Sequence, residues 1–251
     1  MVELHKTISQ VAQADSAVLI EGETGTGKAL VAYAIHRNSA RAGHMFREED
    51  CGGLPPAVVE GVLFGAMKGT DGAPRDRKGI FEAAHGGTVL LDEIGEIESD
   101  IQMRLLRYLQ DHKVQPVGAS ESKAVDARLI AATCRGLHTM VEHGKFRRDL
   151  WSQISAVTIR VPPLRDRRGD VPILARFFVD KYNQQYGAVQ LMESGIQAMG
   201  EYSWPGNVRQ LQHVIEQLVF RVRNIDDRAV HDALNDFRRP IVRPLVSYWV
   251  N

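Results

Sequence analysis

The sequence predicts an α/β fold, in which a parallel β-sheet covered by helices on both faces is followed by a small all-helical subdomain. Up to Val161, apolar runs typical of buried strands alternate with segments of helical periodicity, as in parallel sheets joined by crossover helices. After Pro162-Pro163-Leu164 the periodicity is helical throughout. The predicted organisation is an α/β subdomain over residues 1–168, a helical subdomain over 169–238 and a tail over 239–251.

Each element is predicted from its own pattern. Runs of β-branched and other apolar residues indicate strands, and apolar residues three and four positions apart indicate helices. The segment 101–110 is amphipathic, with Ile101, Leu105, Leu106 and Leu109 on one face. Residues 65–74 are rich in glycine and predict an exposed loop. The predicted strands are 17–20, 88–93, 127–132 and 156–161, and the predicted helices are 4–13, 29–37, 57–64, 101–110, 171–186, 192–202, 207–222 and 228–237.

Composition excludes several classes of protein. Lys plus Arg and Asp plus Glu both number 31, so no global charge favours nucleic acid or a membrane surface. No apolar run reaches membrane length and no signal-peptide pattern is present, which predicts a cytoplasmic location. Cys51 and Cys134 are too few for a disulfide framework or a structural zinc site. We expect one module of a longer protein.

The motif Gly22-Glu23-Thr24-Gly25-Thr26-Gly27-Lys28 joins the first strand to the helix that follows it. Glycines let backbone N–H groups curl around an anion, the helix N-terminus adds its positive dipole, and the lysine supplies a point charge. The motif therefore predicts a phosphate-binding loop; the alternative is a glycine-rich turn with an exposed lysine. The Ser or Thr that usually follows this lysine and touches Mg²⁺ is replaced by Ala29.

Two acids, Asp92 and Glu93, end the strand predicted at 88–93. Beside a phosphate loop, one carboxylate can hold Mg²⁺ and a second can polarise water for attack on a γ-phosphate. The alternative is that both acids are solvated or cap the next element. The nearby phosphate loop favours the nucleotide role.

Five blocks in order resemble the signature blocks of one family. They are Gly22 to Lys28, Val89 to Glu96, Phe146-Arg147-Arg148-Asp149-Leu150, Pro162 to Arg167, and Trp204-Pro205-Gly206-Asn207-Val208-Arg209. The family is the central AAA+ domain of bacterial enhancer-binding proteins, the NtrC-type activators of sigma-54 RNA polymerase. The resemblance implies an AAA+ P-loop NTPase with a helical lid. It also implies a ring, usually hexameric, with ATP between subunits, whose hydrolysis remodels the closed promoter complex.

The resemblance also implies roles for single residues. Glu93 matches the residue that activates water, Asp92 the Mg²⁺ ligand, Arg147 an arginine finger that reaches the neighbouring subunit, and Arg209 the sensor II arginine of the lid. For each arginine the alternative is a surface salt bridge. The positions matched to the binding of ATP or ADP are Gly22, Glu23, Thr24, Gly25, Thr26, Gly27, Lys28, Ala29 and Leu30, together with Arg209.

Several positions depart from the family pattern. An acid stands at Asp50, where the family has an Asn described as a switch partner of the catalytic glutamate, so we expect it to repel Glu93 or raise the pKa of Glu93. The usual sensor I Asn is replaced by Cys, a weaker hydrogen-bonding residue. Four further positions differ from the family pattern: Ala29 replaces a Glu, Cys134 replaces the Asn, Gln153 replaces the second Arg of the finger block, and Val62 replaces an acidic residue.

The largest departure lies in the loop that should touch the sigma factor. The family carries Gly-Ala-Phe-Thr-Gly-Ala, whereas the matching stretch here is Gly69-Thr70-Asp71-Gly72-Ala73, which is one residue shorter and has no aromatic residue. The contact tip is therefore expected to be missing.

Two classes of function remain open. The chain is either a regulatory module that assembles with nucleotide but hydrolyses it weakly, or an active ATPase that remodels sigma-54 polymerase. Some members without the loop motif are described as acting with the housekeeping polymerase, and some as binding cyclic di-GMP. No helix-turn-helix pattern follows residue 238, so DNA contact is expected through a separate domain. The expected partners are further copies of the chain and RNA polymerase or its sigma factor.

Overall fold

The structure, a computed structural model, describes residues 2–70 and 75–238 of the chain. The chain divides into two compact units at Pro162–Pro163, and each is described by itself. Residues 71–73 of the shortened loop and the tail 239–251 lie outside the described residues. Within the described ranges, no helix combines the length and apolarity that crossing a bilayer requires.

The first unit contains a central sheet and seven helices within its described residues. In chain order its elements are α1 Val2–Ala12, β1 Val18–Glu21, α2 Lys28–Arg37, β2 Phe46–Asp50, α3 Pro56–Phe64, β3 Gly65–Ala66, β4 Arg77–Lys78, α4 Ile80–Ala83, β5 Thr88–Asp92, α5 Ser99–Asp111, β6 Lys113–Val114, β7 Lys123–Ala124, β8 Arg128–Thr133, α6 Leu137–Glu142, α7 Arg148–Ile154 and β9 Val157–Arg160.

The central sheet has five parallel strands in the order β2-β5-β8-β1-β9. All six residues of β8 are buried because this strand lies in the middle of the sheet with both faces covered. In such a sheet the carboxyl ends of the strands meet at one edge, where ligands bind in open α/β folds. Glu21, Asp92 and Thr133 end β1, β5 and β8 at this edge.

Two apolar cores cover the two faces of the sheet. On one face, α1 and α2 pack against Val18 and Ile20 of β1. On the other face, the core contains Leu19 of β1 and residues of α3, α4, α5, α6 and α7. Successive residues of β1 thus point to opposite cores, as strand geometry requires. This arrangement confirms the predicted α/β class.

Two predictions for the first unit are incomplete or wrong. The edge strand β2 was not predicted, because four of its five residues are charged and no apolar alternation marks it. Residues 65 and 66 do not belong to an exposed loop: Gly65 and Ala66 are buried and pair antiparallel with Arg77 and Lys78. A Cβ on Gly65 would lie 2.7 Å from the Arg77 carbonyl oxygen, so this position admits only glycine.

The second unit is a helical bundle with its own core. It contains α8 Asp170–Tyr186, β10 Gln190–Leu191, α9 Glu193–Glu201, α10 Asn207–Arg221, β11 Asn224–Ile225 and α11 Asp227–Arg238. The four helices match the four predicted from periodicity. They bury one apolar cluster, which includes Val171, Met199, Trp204, Leu211 and Val230.

Candidate nucleotide-binding site

The turn between β1 and α2 has the backbone that an anion-binding loop requires. Gly25 and Gly27 adopt φ of 79° and 100°, in the left-handed region that favours glycine. A Cβ on Gly22 would lie 2.8 Å from the Val161 carbonyl oxygen, so the chain passes too close there for any side chain. The Thr26 hydroxyl donates to the Glu23 carbonyl at 2.7 Å and closes the turn. Thr24 lies in this turn, and Ala29 and Leu30 lie in the first turn of α2.

Lys28 lies at the start of α2, and its side chain turns back into the loop. The residue is only 5% exposed. Its Nζ donates to the Gly22 carbonyl oxygen at 3.1 Å and lies 3.5 Å from Glu93 Oε1. A nearly buried ammonium at a glycine-rich turn that opens a helix is suited to holding an anion such as a phosphate.

Glu93 follows β5 in a left-handed turn, with φ of 51°. A non-glycine residue at positive φ costs free energy and persists only where its surroundings hold it. Here both carboxylate oxygens are engaged: Oε1 faces Lys28, and Oε2 accepts the backbone N–H of Cys134 at 3.0 Å. The turn therefore aims the Glu93 carboxylate at the phosphate loop.

The surroundings of Glu93 keep it ionised. Burial acts to raise the pKa of Glu93, but the hydrogen bonds from the backbone and thiol of Cys134 and the charge of Lys28 outweigh it and lower this pKa. The expectation that Asp50 raises the pKa of Glu93 is therefore wrong. Asp50 Oδ1 instead accepts the Gly52 N–H at 2.9 Å.

Asp92 is the last residue of β5 and directly precedes Glu93. Its Oδ1 accepts the Glu93 N–H at 2.9 Å. Burial is the main reason that the pKa of Asp92 is raised, and repulsion from Glu93 and Asp50 contributes. A cation next to Asp92 would offset the free-energy cost of keeping this carboxylate ionised. In the part of the chain that the structure describes, no group of three or more His, Cys, Asp or Glu could hold a metal ion. A single carboxylate beside a phosphate loop nevertheless fits Mg²⁺, which is usually bound by one or two carboxylates together with substrate phosphates and waters.

Arg147 lies apart from these residues, at the residue before α7. Its guanidinium forms a two-pronged pair with Asp149, with Nε to Oδ1 at 3.0 Å and Nη2 to Oδ2 at 2.7 Å. Its backbone N–H donates to Gln102 Oε1 at 2.8 Å, which fixes the start of the helix. Gln153 is exposed on the same helix. The role of Arg147 as an arginine finger stays a prediction, and so does the match of Gln153 to the second finger position.

Arg209 belongs to the second unit, where it is exposed in the first turn of α10. The turn before α10 is held by Asn207, whose Oδ1 accepts the Leu164 N–H at 2.8 Å. This contact ties together two of the blocks singled out in the sequence. The sensor role of Arg209 stays a prediction.

The sequence missed one contact in the site, which is the pairing of Cys134 with Glu93. The two residues follow β8 and β5, which are hydrogen-bonded neighbours in the sheet. Strand order, which no local pattern encodes, was the signal needed to find it.

The fold and the site together define an AAA+ P-loop NTPase module. A family model described as Sigma-54 interaction domain matches residues 1–160, and one described as AAA+ ATPase lid domain matches residues 165–232. The chain therefore belongs to the family of sigma-54 interaction domains of the AAA+ class. This confirms the family inferred from the five sequence blocks.

Known proteins of this kind are similar over most of the chain. The Nif-specific regulatory protein of Azospirillum brasilense is 45% identical over 226 residues, which are 89% of this chain and 36% of that protein. Regulatory protein AtoC of Escherichia coli (strain K12) is 42% identical over 222 residues, 87% of this chain and 48% of that protein. The chain thus spans less than half the length of these relatives.

A solved structure has the same architecture. NtrX from Brucella abortus in complex with ATP superimposes with a TM-score of 0.84 at 32% sequence identity, covering 96% of this chain and 56% of that one. The same protein has also been solved in complex with ADP, with a TM-score of 0.83 at 33% identity, covering 91% of this chain and 53% of that one.

Proposed function

We propose that this chain is the nucleotide-binding AAA+ module of a cytoplasmic bacterial transcription regulator. It binds ATP or ADP with Mg²⁺, assembles as a hexamer-type ring with nucleotide between subunits, and hydrolyses ATP weakly. We assign nucleotide binding to the α/β subdomain over 1–168 and the role of lid to the helical subdomain over 169–238. DNA is contacted through a separate domain, and RNA polymerase or its sigma factor is the partner.

The observation that carries this proposal is the position of Lys28. Its ammonium lies within a glycine loop at the carboxyl edge of the sheet, between the Gly22 carbonyl and the Glu93 carboxylate. A phosphate placed in the loop would take over the contacts of the ammonium, while backbone N–H groups hold the other oxygens. Asp92 would hold Mg²⁺, which supplies charge neutralisation of the phosphates when bound.

The test is binding of labelled ATP or ADP. We expect affinity in the micromolar range, as an order of magnitude typical of nucleotide substrates. Lys28→Ala should abolish binding, whereas Lys123→Ala, which removes an exposed lysine, should leave it unchanged. Equal binding by Lys28→Ala and the wild-type chain would contradict the assignment of the loop.

Weak hydrolysis is inferred from the positions around the acid. A trans arginine contributes ~10³ or more to the rate in related phosphoryl-transfer systems. Arg147 retains one such group, but Gln153 lacks the second charge and Cys134 replaces an amide. Turnover measured at concentrations that support the ring should lie well below that of family members with both arginines.

One observation favours the alternative of an active ATPase that remodels sigma-54 polymerase. The Glu93 carboxylate lies 3.5 Å from the Lys28 ammonium at the phosphate loop, a position from which it can orient and polarise water. Wild-type turnover equal to that of intact family members would establish this alternative.

We infer that the sigma-54 contact is lost. Asp71 stands in the loop where an aromatic residue is expected. Interfaces draw most of their binding free energy from a few buried anchors, and losing one commonly costs ~2 kcal/mol or more.

In vitro transcription with the full-length regulator and sigma-54 holoenzyme should give no open complexes. Open complexes that require ATP hydrolysis would show that the loop is competent. The remaining alternative is a regulator that acts with the housekeeping polymerase and responds to cyclic di-GMP.

A further inference from the structure

Two short turns meet at the carboxyl edge of the sheet, where Glu93 contacts Cys134. We call residues 93–96, which follow β5, the acid turn, and residues 133–135, at the end of β8, the β8 turn. Glu93 Oε2 accepts the Cys134 N–H at 3.0 Å. The register between β5 and β8 ends at Leu91 and Ala131, before either residue of the contact. Hydrogen bonds between these two strands therefore do not fix the contact.

The β8 turn is held from inside by Thr133, which has no exposed surface. Its hydroxyl oxygen accepts the Arg135 N–H at 3.0 Å, and its carbonyl oxygen accepts the Gly22 N–H at 3.2 Å. These bonds fix the residues directly before and after Cys134. The direction of the Cys134 N–H therefore depends on where Thr133 and Arg135 lie.

The acid turn is closed by a bond of its own. The Glu96 N–H donates to the Glu93 carbonyl oxygen at 2.9 Å, so the two ends of this turn keep a fixed spacing. A Cβ on Gly95 would lie 3.4 Å from Thr133 Oγ1, which means that the two turns approach each other closely. A movement of Glu96 relative to the β8 turn is therefore passed on to Glu93.

An ion pair joins the last residues of the two turns, from Arg135 Nη2 to Glu96 Oε1. The two side chains are 51% and 32% exposed, so the pair lies at the surface. Arg135 directly follows Cys134 in the chain, and Glu96 is hydrogen-bonded to Glu93. The ion pair is thus a second connection between the same two turns that the Glu93–Cys134 contact joins.

We propose that Arg135 and Glu96 are positioning residues, whose ion pair keeps the Cys134 N–H on the Glu93 carboxylate. This inference rests on the proposed function, because water activation is assigned to Glu93 there. Misplacing a catalytic group by about 1 Å, even through a change elsewhere, can cost on the order of 10²-fold in rate. Loosening the two turns should therefore lower turnover without removing a group that touches the nucleotide.

The alternative is that Arg135 and Glu96 act on Glu93 only through their charges. A cation near Glu93 favours its ionised form and an anion disfavours it, so removing one or the other would then have opposite effects. An ion pair that positions the turns requires both partners. Removing either one should therefore act in the same direction, and removing both should add little to the effect of one.

The first test is steady-state ATP turnover at protein concentrations that support the ring. Arg135→Ala and Glu96→Ala should each lower kcat about fivefold, the most that an exposed ion pair provides, and leave KM within about twofold. The double alanine variant should also lie about fivefold below the wild-type chain, instead of the ~25-fold expected for independent effects. The matched control is Arg221→Ala, which removes an exposed ion pair with Asp236 in the second unit and should not change kcat.

Exchanging the two charges gives a rescue that a purely structural role of either side chain would not produce. Arg135→Glu combined with Glu96→Arg restores an ion pair between the turns, so its kcat should return to within about twofold of the wild-type value. Opposite effects of the two single variants, or a loss of about 25-fold in the double alanine variant, would overturn the proposal. A rise in KM with unchanged kcat would do the same.

The second test needs no hydrolysis. In the nucleotide-free chain, amide hydrogen exchange at Cys134 should be about fivefold faster in Arg135→Ala and in Glu96→Ala than in the wild-type chain and in Arg221→Ala. Unchanged exchange would overturn the positioning role. If the wild-type chain hydrolyses no ATP, the proposed hydrolysis fails, but faster exchange in both variants would still support the contribution of this ion pair to the Glu93–Cys134 contact.

Discussion

The turn after β5 and the turn before α10 both hold non-glycine residues at positive φ, but they are stabilised in different ways. In the first, Glu93 at φ 51° is held by Lys28 and by the backbone N–H of Cys134. In the second, Trp204 at φ 48° is completely buried, and its indole N–H donates to the Met199 carbonyl at 2.8 Å. The first turn is held by polar contacts at an open edge, and the second by a closed apolar core.

This difference indicates what each turn does. Polar contacts at the edge of a sheet can be exchanged for contacts with a ligand, so strain at Glu93 is compatible with a working site. The core around Trp204 offers no such exchange, so its strain is offset by burial and serves the fold of the second unit. Mutations should therefore separate the two turns, with loss of stability at Trp204 and loss of chemistry at Glu93.

The largest effect is expected at Trp204. Trp204→Ala removes a fully buried ring and should lower the free energy of unfolding of the second unit by ~3–5 kcal/mol. Denaturant unfolding followed by circular dichroism measures this change. Phe177→Ala is the control, because Phe177 is 59% exposed and should cost little. Equal stability of the two variants would show that the turn is not held by its core.

Glu93→Gln should leave the fold and nucleotide binding largely intact but lower ATP turnover by ~10² or more, since general-base groups typically contribute 10²–10⁴. Single-turnover hydrolysis at fixed protein concentration measures the effect. Glu98→Gln, an exposed acid just after the same turn, should hydrolyse ATP like the wild-type chain. Unchanged turnover in Glu93→Gln would remove the proposed role of the strained turn.

Much of the fold could be predicted because its signals are local. β1, β5 and β8 are largely apolar, β9 alternates apolar with polar residues, and the helices of the second unit keep their period over several turns. β2 could not be predicted from Phe46-Arg47-Glu48-Glu49-Asp50, because its identity as a strand comes from its register beside β5.

In the site, as in the fold, local features could be predicted from the sequence and contacts between neighbouring strands could not. The spacing of Gly22, Gly27 and Lys28 follows from what a phosphate loop needs, so it is visible in the sequence. The left-handed turn at Glu93 and its contact with Cys134 depend on which strands are neighbours, and the direction of the Asp50 side chain depends on a local turn to Gly52. The sequence predicted that Lys28, Asp92 and Glu93 lie together, as the structure places them, but it assigned Asp50 an effect on Glu93 that the structure does not support.

Cys134, whose backbone N–H donates to Glu93, allows a finer test. Cys134→Asn replaces a weak thiol donor by an amide, and Gln153→Arg restores a second cation on α7. The double variant should raise ATP turnover about tenfold, a fraction of what an arginine finger contributes in related systems. Cys134→Ser combined with Gln153→Lys is the matched control and should give a smaller gain. Turnover that does not change would show that neither position limits hydrolysis.

The smallest effect concerns pH and tests how the Glu93 turn is held. The contacts with Cys134 and Lys28 lower the folded-state pKa of Glu93 below its ordinary value of 4.5. An acid with a lowered folded-state pKa contributes stability above its unfolded-state pKa and loses that stability as the pH falls through the folded-state value.

The wild-type chain should therefore exceed Glu93→Gln in unfolding free energy by up to ~1 kcal/mol at neutral pH, as for a modest ion pair. The difference should stay constant down to about pH 5 and shrink at lower pH, because protonated Glu and Gln are alike in charge. Denaturant midpoints of both proteins across this range measure it, with Glu98→Gln as a control. A difference that grows as the pH falls would mean that Lys28 and Cys134 do not hold the carboxylate.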